Sequence, residues 1–176
     1  MRRYFLTGYM GAGKTTLGKL VAREMGLSFI DLDHYIENRF HKSVSAIFAE
    51  RGEAGFRKLE RDMLIEVAAF EDVIISTGGG TPCFFDNMEL MKQAGTVVYL
   101  STRPEVLFER LRVARAARPV IAGKTDDELL DFIRTNLARR EPFYSQATLT
   151  FDANRLESRA QIGDATRALA ERLRNA

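Results

Sequence analysis

Apolar residues recur along this chain in two alternating rhythms. Short unbroken runs have the length of strands: Tyr4-Phe5-Leu6-Thr7, Asp72-Val73-Ile74-Ile75-Ser76, Thr96-Val97-Val98-Tyr99-Leu100 and Thr148-Leu149-Thr150-Phe151-Asp152. Ser28-Phe29-Ile30-Asp31-Leu32-Asp33 reads as another strand, second in chain order, ending in acids. Between the strands, apolar positions fall three and four apart, the spacing of one helix face. Leu17, Leu20, Val21 and Met25 follow the first strand, and Phe56, Leu59, Met63, Val67 and Phe70 mark a longer amphipathic helix. Pro104 can open a helix carrying Val106, Leu107, Arg110 and Leu111, and Ile162, Ala165, Leu169 and Leu173 line the last one. Residues 34–51, with Ile36, Phe40, Val44, Ile47 and Phe48, predict two short helices, and residues 86–94 another. Asp126 or Asp127 is expected to cap a helix running to about Arg140. The fourth strand is apolar throughout, so it is expected to be buried on both faces. Strands separated by helices imply an α/β fold with parallel pairing and right-handed crossovers. No repeat, low-complexity segment or linker divides the chain, so residues 1–176 are expected to form one domain.

Against that pattern one stretch stands out. Gly8-Tyr9-Met10-Gly11-Ala12-Gly13-Lys14-Thr15 reads G-x-x-x-x-G-K-T, the phosphate-binding P-loop, and lies between the first strand and the first helix. That placement is what the motif's mechanism needs. Glycines let the backbone wrap around phosphate oxygens, and exposed N–H groups with the helix dipole favour the anion. Gly11, Ala12, Gly13, Lys14, Thr15 and Thr16 are therefore nucleotide-binding candidates. Lys14 would reach the β and γ phosphates, and the Thr15 hydroxyl would ligate Mg²⁺.

Composition narrows the class. The 176 residues suit one sizeable core, and 45% hydrophobic content is ordinary for a globular chain. With 26 basic and 24 acidic residues, the net charge of +2 gives no sign of a nucleic-acid or membrane partner. The one cysteine, Cys83, permits no internal disulfide. No apolar run approaches the ~20 residues that span a membrane. The first strand begins almost at the N-terminus, so no signal peptide is read there and a cytoplasmic protein is expected.

A P-loop does not by itself name a reaction. The N-K-x-D motif of GTPase switches and the L-S-G-G-Q signature of transporter ATPases are both missing from the sequence. Neither Val73–Ser76 nor Val97–Ser101 ends in the usual Walker-B acid; the second strand ends in two acids, Asp31 and Asp33. Two carboxylates two apart on an extended strand share a side, so both can face the loop. One would serve the Mg²⁺ water shell and the other would take a proton from a hydroxyl nucleophile. The structural alternative is that these acids cap the following helix.

At this point the chain resembles the shikimate kinases, small P-loop phosphotransferases, over nearly its whole length. The resemblance rests on Gly8 to Thr16, Asp31-Leu32-Asp33, Gly52-Glu53-Ala54-Gly55-Phe56-Arg57 with Glu60, Ser76-Thr77-Gly78-Gly79-Gly80, Arg118-Pro119 and Arg140-Glu141-Pro142-Phe143-Tyr144. It implies a five-stranded parallel sheet in the order 2-3-1-4-5, flanked by helices, with a mobile lid at about residues 112–125. It implies ATP and shikimate as substrates, Mg²⁺ as cofactor, and phosphorylation of the 3-hydroxyl in a step toward chorismate and the aromatic amino acids. By the same resemblance Asp31 joins Thr15 at the metal, while Asp33 binds shikimate hydroxyls and acts as base. Arg57, Arg140 and the backbone of Gly78, Gly79 and Gly80 hold the substrate, the arginines chiefly its carboxylate. Glu60 supports Arg57 or the acid site. Arg118, in the lid, meets the nucleotide and the transferring phosphoryl group, so Lys14, Asp33 and Arg118 form the catalytic set. A monomer is expected.

The chemistry agrees with these roles. An arginine fork matches a planar carboxylate. Three glycines after a buried strand are entropically costly unless the backbone turns or is closely approached. The lid segment has small side chains and few apolar anchors, so it is expected to be weakly held without nucleotide. Two departures from the family pattern concern the lid. Val120 and Ile121 stand where leucines usually follow the Arg-Pro pair, and the segment from Leu111 to Arg118 is short, which leaves the adenine-stacking arginine open between Arg110 and Arg112. The fifth-strand end, Asp152-Ala153-Asn154, is expected near adenine. The alternatives are a related kinase, such as gluconate kinase, and a regulatory nucleotide-binding module without catalysis.

Overall fold

The apolar runs form strands β1 (Arg3–Thr7), β2 (Ser28–Asp31), β3 (Val73–Ser76), β4 (Thr96–Ser101) and β5 (Leu149–Asp152) in a computed structural model that describes residues 1–176. They make one parallel sheet in the order β2-β3-β1-β4-β5, as expected. Helices α1 (Lys14–Met25), α2 (Leu32–Phe40), α3 (Val44–Val67), α4 (Asn87–Ala94), α5 (Pro104–Val113), α6 (Asp126–Tyr144) and α7 (Arg159–Arg174) cover it. Alternation along the strands splits the interior in two. Tyr4, Leu6, Ile74, Val98 and Leu100 pack with residues of α1, α5, α6 and α7, whereas Phe5, Val73, Ile75 and Val97 pack with α2, α3 and α4. All four residues of β4 from Val97 to Leu100 are buried, as its apolar run predicts.

This order places the site. β1 pairs with β3 on one side and β4 on the other. The helix after β1 joins one core and the helix after β3 joins the other. The chain ends of β1 and β3 therefore open away from each other, leaving the crevice where α/β sheets take ligands.

Several expectations shift at element ends. β2 stops at Asp31, and Leu32 and Asp33 belong to α2. Asp31 is the N-cap: its Oδ1 accepts from the His34 amide at 3.1 Å. The two acids are thus brought together by a strand-to-helix turn and not by strand alternation. The capping alternative holds for Asp31, whose carboxylate caps with one oxygen and leaves the other for the cleft. The segment 44–51 is continuous with the next helix, bending at Gly52 (φ 69°). Phe70 lies beyond the end of α3 and is partly exposed. Thr125, not Asp126 or Asp127, caps α6 in a reciprocal box with Glu128. α6 also continues past Arg140 and through Pro142 to Tyr144.

The basic segment between α5 and α6 is tied down more firmly than its composition implies. Val120 is exposed, but Ile121 is fully buried in the core. Arg115 Nη1 donates to the Lys124 carbonyl at 2.8 Å, and its Nη2 pairs with Asp126, so one guanidinium spans the neck of the loop.

Candidate active site

The crevice is a cleft of about 470 Å³ lined by Gly11, Gly13, Lys14, Thr15, Thr16, Asp31, Asp33, Gly78, Gly79, Arg110 and Arg118, among others. Residues separated by a hundred positions thus share one polar wall. Its floor is the P-loop. Gly13 has φ 99°, which favours glycine, and a Cβ there would lie 2.6 Å from Leu156 Cδ1, so that side chain would have to move as well. Lys14 Nζ donates to the carbonyls of Gly8 (2.7 Å) and Tyr9 (3.0 Å), which holds the ammonium along the loop. Burial pushes its pKa down to about 8, with Asp33 opposing the shift. Thr15 Oγ1 donates to Asp31 Oδ2 at 3.2 Å. A hydroxyl and a carboxylate oxygen side by side suit Mg²⁺, which prefers hard oxygen donors and keeps several waters or phosphate oxygens. No cluster of three or more acidic, His or Cys side chains forms a protein-only metal cage.

Asp33 faces the same cleft from the first turn of α2. Burial first, then the neighbouring Glu60 and Asp31 carboxylates, push its pKa up to about 6, while Lys14 pulls the other way. A carboxylate ionised at neutral pH but near its pKa is matched to accepting a proton.

The glycine triplet explains its own composition. None of Gly78, Gly79 and Gly80 has a positive φ, so the turn itself does not require them. Close approach does. A Cβ at Gly79 would lie 2.8 Å from Arg140 Nη1, and one at Gly80 would lie 2.5 Å from Arg57 Nη2. Arg57 and Arg140, from α3 and α6, therefore converge on neighbouring glycines. Arg57 is held from several sides. Its Nη1 donates to Glu60 Oε1 at 3.0 Å, and its guanidinium lies 4.2 Å from the Phe84 ring centre. Its Nε is buried without a hydrogen-bond partner. Glu60, only 1% exposed, also accepts from Thr81 Oγ1 at 2.9 Å; burial raises its pKa against the pull of Arg57. Glu60 is thus a structural anchor and not a surface charge. Arg140 lies over the Tyr9 ring at 5.4 Å and has no carboxylate within ion-pair distance. Neither Arg57, Arg140 nor Gly80 lines the cleft directly; the two arginines stand beside Gly79 and Gly80, next to its wall.

Arg118 lines the cleft from the lid, with an exposed side chain. Of Arg110 and Arg112, it is Arg110 that lines the cleft. Its Nη1 donates to the Gly11 carbonyl (3.1 Å) and its Nη2 to the Ala153 carbonyl (2.7 Å), and Glu157 pairs with it. Arg112 turns away and pairs with Glu109. The end of β5 therefore meets the P-loop through Arg110, where the sequence placed adenine. Leu156 and Glu157, in the loop before α7, and Ile162, in its first turn, complete that end of the cleft and were not among the sequence candidates; no motif marks them.

Comparison with known proteins adds three findings. A family model described as shikimate kinase matches residues 10–171. A shikimate kinase of Bacteroides thetaiotaomicron is 61% identical over 173 residues, covering 98% of this chain and 99% of the relative, and one of Chlorobium luteolum is 37% identical, covering 98% and 87%. Among solved structures, the crystal structure of the Bacteroides thetaiotaomicron shikimate kinase superposes with a TM-score of 0.96 at 60% identity, covering 98% of each chain. The Acinetobacter baumannii shikimate kinase in complex with shikimate gives 0.83 at 33% identity, covering 99% of this chain and 94% of that one.

Proposed function

This chain belongs to the shikimate kinase family, and on that premise we propose that Lys14, Asp33 and Arg118 carry its chemistry while Arg57 and Arg140 hold the acceptor's carboxylate. The reaction is ATP-dependent phosphorylation of the 3-hydroxyl of shikimate, a step of aromatic amino-acid biosynthesis. The observation that carries the acceptor assignment is Arg140, a partly buried cation beside the cleft with no protein carboxylate to pair it. A partly buried charge of this kind calls for a counter-ion. Arg57 Nε, buried and without a hydrogen bond though 3.6 Å from Glu53 Oε1, supplies a second donor nearby. Gluconate also has a carboxylate, but the combination of Asp33, Arg57 and the Gly78–Gly80 turn favours the ring acid. Intact Lys14, Thr15, Asp31, Asp33 and Arg118 weigh against a non-catalytic module.

The phosphates of ATP lie along Gly11 to Thr16, with Lys14 at the β and γ oxygens. Thr15 and Asp31 hold Mg²⁺, which when bound neutralises phosphate charge. The acceptor oxygen attacks the γ-phosphorus as the bond to the β–γ bridging oxygen breaks, and Asp33 accepts the hydroxyl proton. Arg118 offsets charge on the moving phosphoryl group, and the lid excludes water as a competing acceptor. Arg110, between the P-loop and the end of β5, meets the adenine. We take residues 1–176 as one catalytic unit acting as a cytoplasmic monomer, with no nucleic-acid or membrane partner. The test is release of ADP from Mg-ATP with shikimate, gluconate or no acceptor; ADP release that ignores shikimate overturns the reading.

A further inference from the structure

The far end of α6 carries two phenol contacts that substrate binding alone does not explain. Tyr144, the last residue of α6, is fully buried, and its Oη donates to the Gly79 carbonyl at 2.6 Å. Arg140 lies four residues earlier, hence on the same helix face. Both side chains bear on one glycine: a Cβ at position 79 would lie 2.8 Å from Arg140 Nη1 and 3.5 Å from Tyr144 Oη. Tyr99, on β4, packs its ring on Tyr144 with centroids 5.0 Å apart and donates its Oη to Glu141 Oε2 at 2.7 Å. So the helix end is tied to the sheet through Glu141 and to the glycine turn through Tyr144. It makes both ties because α6 continues through Pro142.

The Gly79 carbonyl and the Gly80 N–H belong to one planar peptide and point in opposite directions. Fixing the oxygen therefore fixes the amide. Between two glycines such a peptide has little intrinsic preference and flips readily. A flip would exchange the carbonyl oxygen and the amide beside the Arg140 and Arg57 guanidiniums, and so change what an acceptor's carboxylate meets there. We infer that Tyr144, braced by Tyr99, is a positioning residue for acceptor binding: it locks the Gly79–Gly80 peptide and keeps Arg140 in register with it. The inference rests on the acceptor site proposed above.

Tyr144→Phe keeps the ring and its packing and removes one hydrogen bond. The KM for shikimate is expected to rise by roughly fivefold to tenfold, the effect of one lost hydrogen bond, with kcat and the KM for ATP within about twofold. Amide hydrogen exchange across residues 78–81 of the free protein is expected to quicken. Tyr99→Phe should shift both readouts in the same direction by less, and it serves where the first variant folds poorly. Combined with Arg140→Lys, Tyr144→Phe should raise the KM by less than the product of the two single effects, because both act on one contact. An unchanged shikimate KM, equal rises for both substrates, or unchanged exchange at 78–81 overturns the role. Turnover of shikimate by the parent protein is measured alongside: its absence would sink the acceptor reading, while the exchange data would still report on the lock.

Discussion

At the proposed phosphate end of the cleft, Gly11 and Gly13 to Thr16, one short stretch, supply the wall. At the proposed acceptor end, Asp33, Arg57, Gly79 and Arg140 come from α2, α3, the turn after β3, and α6. The first end is made by local geometry, the second by tertiary assembly. Their electrostatics differ too. Lys14 is satisfied by two carbonyls of its own loop, whereas Arg57 is locked to the buried Glu60 and Arg140 has no carboxylate partner. A site built from one segment keeps its shape wherever that segment folds. A site built from four elements depends on every packing contact between them.

The contrast is broken most completely at Lys14. Lys14→Ala should abolish turnover, because no other cation stands on the floor of the loop. The melting temperature should hold or rise, since the side chain is penalised by burial and is not part of either core. Near-normal ADP release by this variant would refute the phosphate assignment. Next in size is Asp33→Asn, expected to lower kcat by about 10²–10⁴, the usual loss on removing a general base. The KM for shikimate should rise as well, and the KM for ATP should hold. An unchanged kcat would leave Asp33 a binding group only.

Arg57 sharpens the contrast at the acceptor end. Arg57→Lys keeps charge near Glu60 but loses the planar fork and its stacking on Phe84. Truncating one member of a buried charged pair costs roughly 2–5 kcal/mol, so Arg57→Ala should exceed Arg57→Lys. Both should raise the KM for shikimate and leave that for ATP. An acceptor analogue with its carboxylate amidated should bind the parent poorly and lose little more in Arg57→Ala. Penalties that simply add would show that Arg57 does not read the carboxylate.

The same contrast explains what the sequence made legible. The P-loop, its strand and its helix could be read because motif and periodicity agree over one short span. The sheet order followed from the family resemblance. The joint between β2 and α2 was misplaced, because Leu32 continues an apolar run that looks like strand; the Asp31 cap, which ends it, competes with that pattern. Likewise Thr125 was passed over for the acids beside it, although Thr125 with Glu128 has the spacing of a capping box. Glu60 entered only through the resemblance, because helix periodicity shows which face a residue is on and not what meets it. Only the tertiary arrangement brings Thr81 and Arg57 to it. That Arg110 and not Arg112 lines the cleft depended in the same way on the end of β5 reaching the P-loop, a contact across some forty residues that no local pattern encodes.

The smallest effect tests whether the acceptor end is held at a cost to stability. The Asp33 pKa rises from 3.8 to about 6 on folding, chiefly through burial. The folded protein therefore binds a proton at this group more tightly than the unfolded chain does. Stability from this group is greatest where the carboxyl is protonated in both states, below about pH 4, and falls as pH rises through the window up to about 6. Above that window the penalty is constant, and at about 1.4 kcal/mol per unit of pKa it is no more than about 3 kcal/mol. Asp33→Asn removes the charge and should escape it. In chelator, with no nucleotide or acceptor, the variant should melt several degrees above the parent at pH 7.5, given roughly 2–4 °C per kcal/mol for a chain of this size. The gain should shrink toward zero by pH 4, because the parent's carboxyl is then neutral in the folded state. Taking the difference between the two proteins removes the other carboxylates, which titrate in both. A gain that persists at pH 4 would trace to packing or hydrogen bonding, not to charge. No gain at pH 7.5 would mean that Lys14 already compensates Asp33, and the two ends of the cleft would then be one coupled unit.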